Sequence, residues 1–221
     1  MRGRMNDSPD TQLSKTLSYL LRHGAAKEGL KMRSDGFVKI NDLLARPKLK
    51  GVELGDIERI VGKDSKQRYA MIREPPPDGS SSSEDIVYIR ANQGHSIQVP
   101  ELDLVPIIDP EDIPTVVHGT YMKFWDTILL EGLKPMKRTH IHFASGLIDQ
   151  PGVISGMRAS REIDIYLDVT KCISAGILFH RSKNGVILSQ GLPDSNSIPS
   201  TYFQKVIHTS GKVLYPTESS T

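Results

Sequence analysis

One cysteine and one tryptophan stand in 221 residues. The lone thiol, Cys172, excludes an internal disulfide and cannot build a cysteine-based metal cluster. A reducing intracellular home, cytoplasmic or nuclear, is the simplest expectation. No apolar run approaches the ~18 residues a membrane span needs. The opening MRGRMNDSPD has basic residues with no apolar stretch behind them, so no secretory signal is expected. Neither sign of charge dominates: 28 Lys and Arg against 26 Asp and Glu leave +2. Cut at Pro110, the first part holds 17 basic and 16 acidic residues and the second 11 and 10. Neither is a basic arm that grips nucleic acid without discrimination, so any such contact rests on a few placed arginines. The P-loop, the GxGxxG fingerprint, HExxH and the GxSxG elbow are all missing. Kinase, dinucleotide dehydrogenase, zinc protease and serine hydrolase readings fall with them.

What is present reads as globular. Apolar residues are 38% and charged residues 24%, and the length suits roughly one to two domains. In DTQLSKTLSYLLRHGA, Leu13, Leu17, Leu20 and Leu21 lie on one helical face, with Asp10 or Thr11 as cap and Gly24 as left-handed stop. SDGFVKINDLLARP predicts a turn, a strand over Phe37 to Ile40, an Asn41 cap and a helix ended by Pro47. VELGDIERIVGKD predicts a further helix with Leu54, Ile57, Ile60 and Val61 inward. RYAMI and IVYIRA read as strands around PPPDGSSSSED, a mobile loop. Three helices closed by a β-hairpin make a winged-helix arrangement, a fold that serves nucleic-acid and protein partners alike.

PELDLVPIIDPEDIP, rich in proline, reads as an extended linker. Beyond it the chain turns strand-rich. VVHGT is a short strand, and YMKFWDTILLEG is a helix with Trp125, Ile128 and Leu129 inward and Gly132 as stop. HIHFA, IDIYLDV and YFQKVIH alternate as strands, ILFHRSKNGVILSQ is a hairpin turning at Asn184-Gly185, and the tail after Lys212 is loose.

Arg22-His23 reads first as a pair of cations bonding the last carbonyls of its helix. Arg90 shares a strand face with Ile86 and Tyr88, opposite Val87, Ile89 and Ala91. It leaves that strand before Asn92-Gln93-Gly94-His95, either a solvated strand end or a turn offering several donors. Arg138 precedes His140 and His142, which alternate on one strand face. With no third ligand at useful spacing, they read as hydrogen-bonding residues, and no metal is expected. His95, His180 and His208 read as surface or satisfied core histidines. His118-Gly119-Thr120 ends a strand before a helix, where backbone N–H groups could meet an anion and Gly119 would permit close approach.

LLRHG, DGFVKINDLL, IRANQGHS, VHGT, RTHIHF, SGMR and NGVILS together resemble the RNA 2′-phosphotransferase family, Tpt1/KptA, and its eukaryotic members most. The likeness runs from about Leu13 to Ile207. It implies an α+β protein: a winged-helix RNA-binding lobe over residues 10–105, with its loop near 75–85, and an ADP-ribosyltransferase-type NAD-binding lobe over 115–210. A linker at 106–114 joins them, a flexible tail occupies 211–221, and the active site lies between the lobes. The implied reaction moves an internal 2′-phosphate of RNA, at a tRNA splice junction, to NAD⁺ as co-substrate. It passes through 2′-phospho-ADP-ribosylated RNA and gives 2′-hydroxyl RNA, nicotinamide and ADP-ribose 1″,2″-cyclic phosphate.

The family's Arg-His-Arg-Arg set matches Arg22, His23, Arg90 and Arg138. The resemblance implies RNA-phosphate contacts from Arg22, Arg90, Asn92 and Arg138. It implies NAD contacts from His118, Gly119, Thr120, His142, Ser155, Gly156 and Arg158. An ionised phosphate needs no base to become a nucleophile, and the hairpin Asn184 to Gly191 holds no acid that would repel it. Guanidiniums suit the charge gathering on phosphoryl oxygens, and His23 suits the leaving 2′-oxygen. The partner is then RNA bearing a 2′-phosphate, tRNA above all, met by a monomer without membrane or metal. Two rival readings share the residues: capping of terminal nucleic-acid phosphates with ADP-ribose, and a winged-helix module that only binds.

Overall fold

The computed structural model describes residues 7–76, 84–146 and 157–216. The chain divides into two compact units, Met1–Asp103 and Leu104–Thr221.

The first unit begins with helix α1, Pro9–Tyr19. Its cap is Ser8, whose hydroxyl accepts the Thr11 amide at 3.3 Å, one turn earlier than Asp10 or Thr11 would have placed it. Pro9 at the first helical position loses no needed donor. The helix widens into a π-turn over Leu20–Gly24. Gly24 is therefore no left-handed stop. A Cβ there would sit 2.7 Å from the Tyr19 ring, and the positive φ comes later, at Gly29. Strand β1 (Val38–Lys39), helix α2 (Ile40–Leu44), helix α3 (Leu54–Gly62) and strands β2 (Tyr69–Glu74) and β3 (Ile86–Ala91) follow. Lys39, not Asn41, occupies the cap position of α2.

The three strands form an antiparallel sheet in the order β1-β3-β2. Strand alternation turns Ile89 and Ala91 into the core with Leu17, Leu20, Leu21, Leu43 and Ile57. Each such buried side chain contributes about 1.5–3 kcal/mol of transfer free energy. Tyr88 faces the other way, packing with Phe37 and Ala70. Residues 77–83 of the serine-rich loop lie outside the described residues.

The second unit holds two four-stranded antiparallel sheets. One orders β11 (Val213–Tyr215), β10 (Phe203–His208), β7 (Ile163–Leu167) and β5 (Val117–Thr120). The other orders β4 (Leu104–Ile107), β8 (Phe179–Ser182), β9 (Ile187–Ser189) and β6 (Ile141–Phe143). Ile163, Ile165 and Val206 from the first sheet meet Ile141, Phe143, Phe179 and Ile187 from the second in one core. Val117 and Ala144 exchange backbone hydrogen bonds at 3.0 and 2.9 Å, which ties β5 to the end of β6. Helix α4 (Trp125–Glu131) stops at Gly132, φ +78°, and helix α5 (Val169–Ser174) starts at an Asp168 cap.

Four expectations change here. The 106–114 segment is no free linker: β4 pairs with β8, and Ile107 and Ile113 are buried. Pro106 is tolerated because β4 is an edge strand, where a missing donor costs no ladder bond. The tail is tied down through residue 215, since β11 pairs with β10. Leu129 is 41% exposed instead of inward, because the short helix α4 presents only Trp125 and Ile128 to the core. Helix α5 was hidden behind the strand pattern preceding it.

Among the described residues no helix is long and apolar enough to cross a membrane, and no group of three or more His, Cys, Asp or Glu could hold a metal. Burial pushes the Cys172 thiol up to about 12.

Candidate functional site

The first unit carries Arg22 and His23 on the π-turn, Arg90 in β3 and Asn92 in the segment that follows β3. The π-turn carries Arg22 and His23 at the frayed end of the first helix, where the last carbonyls lack helical partners. The segment after β3 supplies one: the Ser96 amide donates to the Arg22 carbonyl at 3.0 Å. Gly94, at φ +88°, turns this segment back over Arg22. The Arg22 guanidinium Nη1 lies 3.4 Å from where a Cβ of residue 94 would stand. The His23 ring meets Ser96 in turn, with Nδ1 and Oγ 2.9 Å apart.

Arg90 continues the outward face of β3, as its alternation predicts, yet it is only 4% exposed. Its guanidinium lies 4.7 Å from the Phe37 ring centroid, a cation–π contact. Nη1 donates to the Asp35 carbonyl at 3.0 Å, and Nη2 reaches the Asp103 carboxylate at 3.3 Å. Its Nε is buried without a hydrogen-bond partner among the described residues. Buried charged donors rarely stay unspent, so this atom invites an acceptor. Asn92 differs. Its amide Nδ2 donates to the Gln67 carbonyl at 2.7 Å and its backbone N–H to the Arg68 carbonyl. Those bonds anchor the loop and leave the expected phosphate contact from that donor without support.

The second unit gathers His118, His142, Arg138 and Arg158. His118 Nδ1 donates to the His142 carbonyl at 2.9 Å, across the seam joining β5 to β6, and its ring stands edge-on to Phe143. Burial lowers the His118 pKa most; the bond to His142 raises it, and the Arg138 charge lowers it further. A neutral ring with Nδ1 protonated is the form this environment favours. Register places His142, Leu188 and His180 in one row across β6, β9 and β8. His180 Nδ1 is buried without a hydrogen-bond partner among the described residues, and burial lowers this ring's pKa too.

Arg138 is exposed as a side chain, while burial of its guanidinium head and then the neighbouring Arg158 charge lower its pKa. Arginine stays charged regardless, so two like cations stand close together here. Tyr121 hydrogen-bonds Ser160 at 2.9 Å, and that bond, then one from Arg158, lowers its phenol pKa. Two guanidiniums, a phenol and an imidazole form a donor set suited to anionic and hydroxyl groups.

Gly119 and Thr120 lie within β5, paired to β7, and a 3-10 turn separates them from α4. VHGT thus ends a strand before a helical segment, as expected, with the 3-10 turn coming first. Glycine is needed at 119 for another reason: a Cβ would meet Arg161 Cδ at 2.6 Å and Met157 Sδ at 2.8 Å. Arg161 crosses there to bond Asp164. Ser155 and Gly156 lie outside the described residues. Sequence reasoning missed Ser96, Asp103 and Tyr121. The serine closing IRANQGHS was a visible hint; the other two are conferred by folding.

Each unit thus holds its own group of cationic and polar side chains. Residues 8–191 match the family described as RNA 2′-phosphotransferase, Tpt1/KptA family. The tRNA 2′-phosphotransferase 1 of Homo sapiens is 46% identical over 212 residues, covering 93% of this chain and 81% of the human protein. That of Danio rerio is 49% identical over 195 residues, covering 86% and 84%. The tRNA 2′-phosphotransferase of Saccharomyces cerevisiae is 38% identical over 209 residues, covering 91% and 85%. The chain belongs to the RNA 2′-phosphotransferase, Tpt1/KptA family, and so is an enzyme of the transferase class.

Proposed function

We propose that this enzyme removes the internal 2′-phosphate of spliced tRNA, using NAD⁺ as the acceptor substrate. The first unit is read as a winged-helix lobe for RNA, supported by its order of helices, strands and closing hairpin. The second is read as an ADP-ribosyltransferase-type lobe for NAD⁺, supported by its two antiparallel sheets and by the donor set around Arg138 and His118. Arg90 is the observation that carries the proposal: a nearly buried guanidinium, braced by Phe37 and Asp35, with Nε still unspent.

Each residue has its task in this reading. Arg22, Arg90 and Arg138 hold phosphoryl oxygens through charge-assisted hydrogen bonds, and they do so best when negative charge gathers on those oxygens. In the first step the RNA 2′-phosphate oxygen bonds to the ribosyl C1″, and nicotinamide departs with the electrons of the C–N bond. In the second, the ribose 2″-oxygen bonds to phosphorus as the bond to the RNA 2′-oxygen breaks. The 2″-hydroxyl proton passes to water, and His23 gives a proton to the departing 2′-oxygen. His118, His142 and Arg158 hold the dinucleotide. The chain works as a monomer inside the cell, and its charge stabilisation comes from arginines with no metal ion.

The test is incubation of a 2′-phosphorylated oligonucleotide with and without NAD⁺. Loss of the 2′-phosphate only with NAD⁺, together with a cyclic ADP-ribose phosphate, supports the reading. ADP-ribose retained on RNA would favour terminal capping, and no NAD⁺ consumption would leave a binding module.

A further inference from the structure

We propose that Ser96 is the positioning residue for His23, fixing which ring nitrogen exchanges a proton with the substrate. The inference deepens the reading of His23 given above and rests on it.

Three contacts define Ser96. Its amide donates to the Arg22 carbonyl at 3.0 Å, its hydroxyl reaches the same carbonyl at 3.4 Å, and its Oγ lies 2.9 Å from His23 Nδ1. A hydroxyl has a single hydrogen to give. Both hydroxyl contacts can be hydrogen bonds together in only one way: Oγ–H points to the Arg22 carbonyl, and Nδ1–H points to Oγ. The relay Nδ1–H, Oγ–H, carbonyl then ends on a group that can only accept. It holds Nδ1 protonated whether the ring is neutral or charged, and it assigns the exchange with substrate to Nε2. Gly94 makes the relay possible by turning the chain back over Arg22, so that residues 73 positions apart meet.

Ser96 is also exposed, and its backbone bond to Arg22 does not involve the hydroxyl. Ser96→Ala therefore removes the relay and leaves the loop attached. The ring would then lose this brace and its hold on the Nδ1 tautomer. Its loss should weaken the proton-transfer contribution, which is about 10²–10⁴-fold for a positioned acid, without touching the first step.

The experiment has two arms. In the first, single-turnover assays follow nicotinamide release and cyclic phosphate formation separately. Ser96→Ala should release nicotinamide at the parental rate and slow the second step on the order of 10-fold or more, so that ADP-ribosylated RNA accumulates. Ser96→Thr, which keeps the hydroxyl, should restore it. In the second arm, ¹⁵N NMR of the free enzyme, with His23 assigned by loss of its signals in His23→Gln, reads the tautomer directly. The parent should show Nδ1 protonated, and Ser96→Ala a shift toward Nε2. An unchanged second step or an unchanged tautomer in Ser96→Ala overturns the proposal. If Ser96→Ala fails to fold, Ser96→Cys, with its weaker acceptor, answers both arms. A parent enzyme that never consumes NAD⁺ refutes the functional reading instead, and the tautomer measurement still decides the role of Ser96.

Discussion

Arg90 and Arg138, given similar chemistry in the proposed function, sit in opposite kinds of surroundings. Arg90, in the first unit, is nearly buried, stacked on Phe37 and held by the Asp35 carbonyl and the Asp103 carboxylate. Arg138, in the second, is exposed and has a second cation, Arg158, as its charged neighbour. The first is oriented in advance at the cost of desolvation. The second is exposed along its side chain, with its guanidinium partly desolvated, and it carries like-charge repulsion that an arriving anion would relieve. A buried charge and an exposed one thus contribute differently to folding.

The largest expected effect tests this contrast directly. Arg90→Ala and Arg138→Ala should each lower NAD⁺-dependent removal of the 2′-phosphate on the order of 10²-fold or more. Only Arg90→Ala should also destabilise its unit, seen as faster hydrogen exchange of the β3 amides. Arg138→Ala should leave unfolding followed by Trp125, the single tryptophan, within about 0.5 kcal/mol of the parent. Equal destabilisation by both would break the comparison.

Glycines sharpen it next. Gly119→Ala drives a methyl into Arg161 and Met157 and should cost about 1–3 kcal/mol of stability in the Trp125 signal during urea unfolding. Gly94→Ala meets Arg22 at ordinary contact distance and suffers from its positive φ, so about 1 kcal/mol is expected. A larger loss at 94 than at 119 would mean that Arg22 yields less readily than Arg161 and Met157.

Acid should act on the second unit. Burial holds His118, His140 and His180 below their ordinary value of 6.5, so the fold favours their neutral forms. Their stabilising contribution is complete above about pH 6.5. It falls as acid protonates the unfolded chain first, and it is exhausted once the pH passes below the lowered folded values. Equilibrium unfolding by Trp125 fluorescence should show this decline, and His180→Leu should flatten it. An identical slope in the variant would contradict the assignment.

Asp103→Asn is the smallest change. The carboxylate is 58% exposed and 3.3 Å from Arg90, so its removal should cost less than about 1 kcal/mol, and less again at high salt. A greater loss would mark Asp103 as a true member of the brace around Arg90.

Much of the architecture was legible along the chain. The leucine spacing of the first helix, the alternation of IVYIRA and the Asn184-Gly185 turn between β8 and β9 all reappear in three dimensions, with Gly185 at φ +78°. Some short elements escaped. A four-residue edge strand with proline and a six-residue helix following a strand have too few repeats to show a period. The candidate site was legible as residue types within motifs. Its partners were not: the close approach expected at Gly119 is made in the fold by Arg161 and Met157.

Composition and short-range pattern determined which reactive groups this protein owns and which local elements carry them, because caps, turns and side-chain periods act over a few residues. Tertiary structure decided what those groups touch. Ser96 meets His23 across 73 positions, the Asp35 carbonyl meets Arg90 across 55, and the His142 carbonyl meets His118 across 24. Such pairings exist only after burial of two apolar cores offsets the entropy of closing those loops, and no local spacing records them.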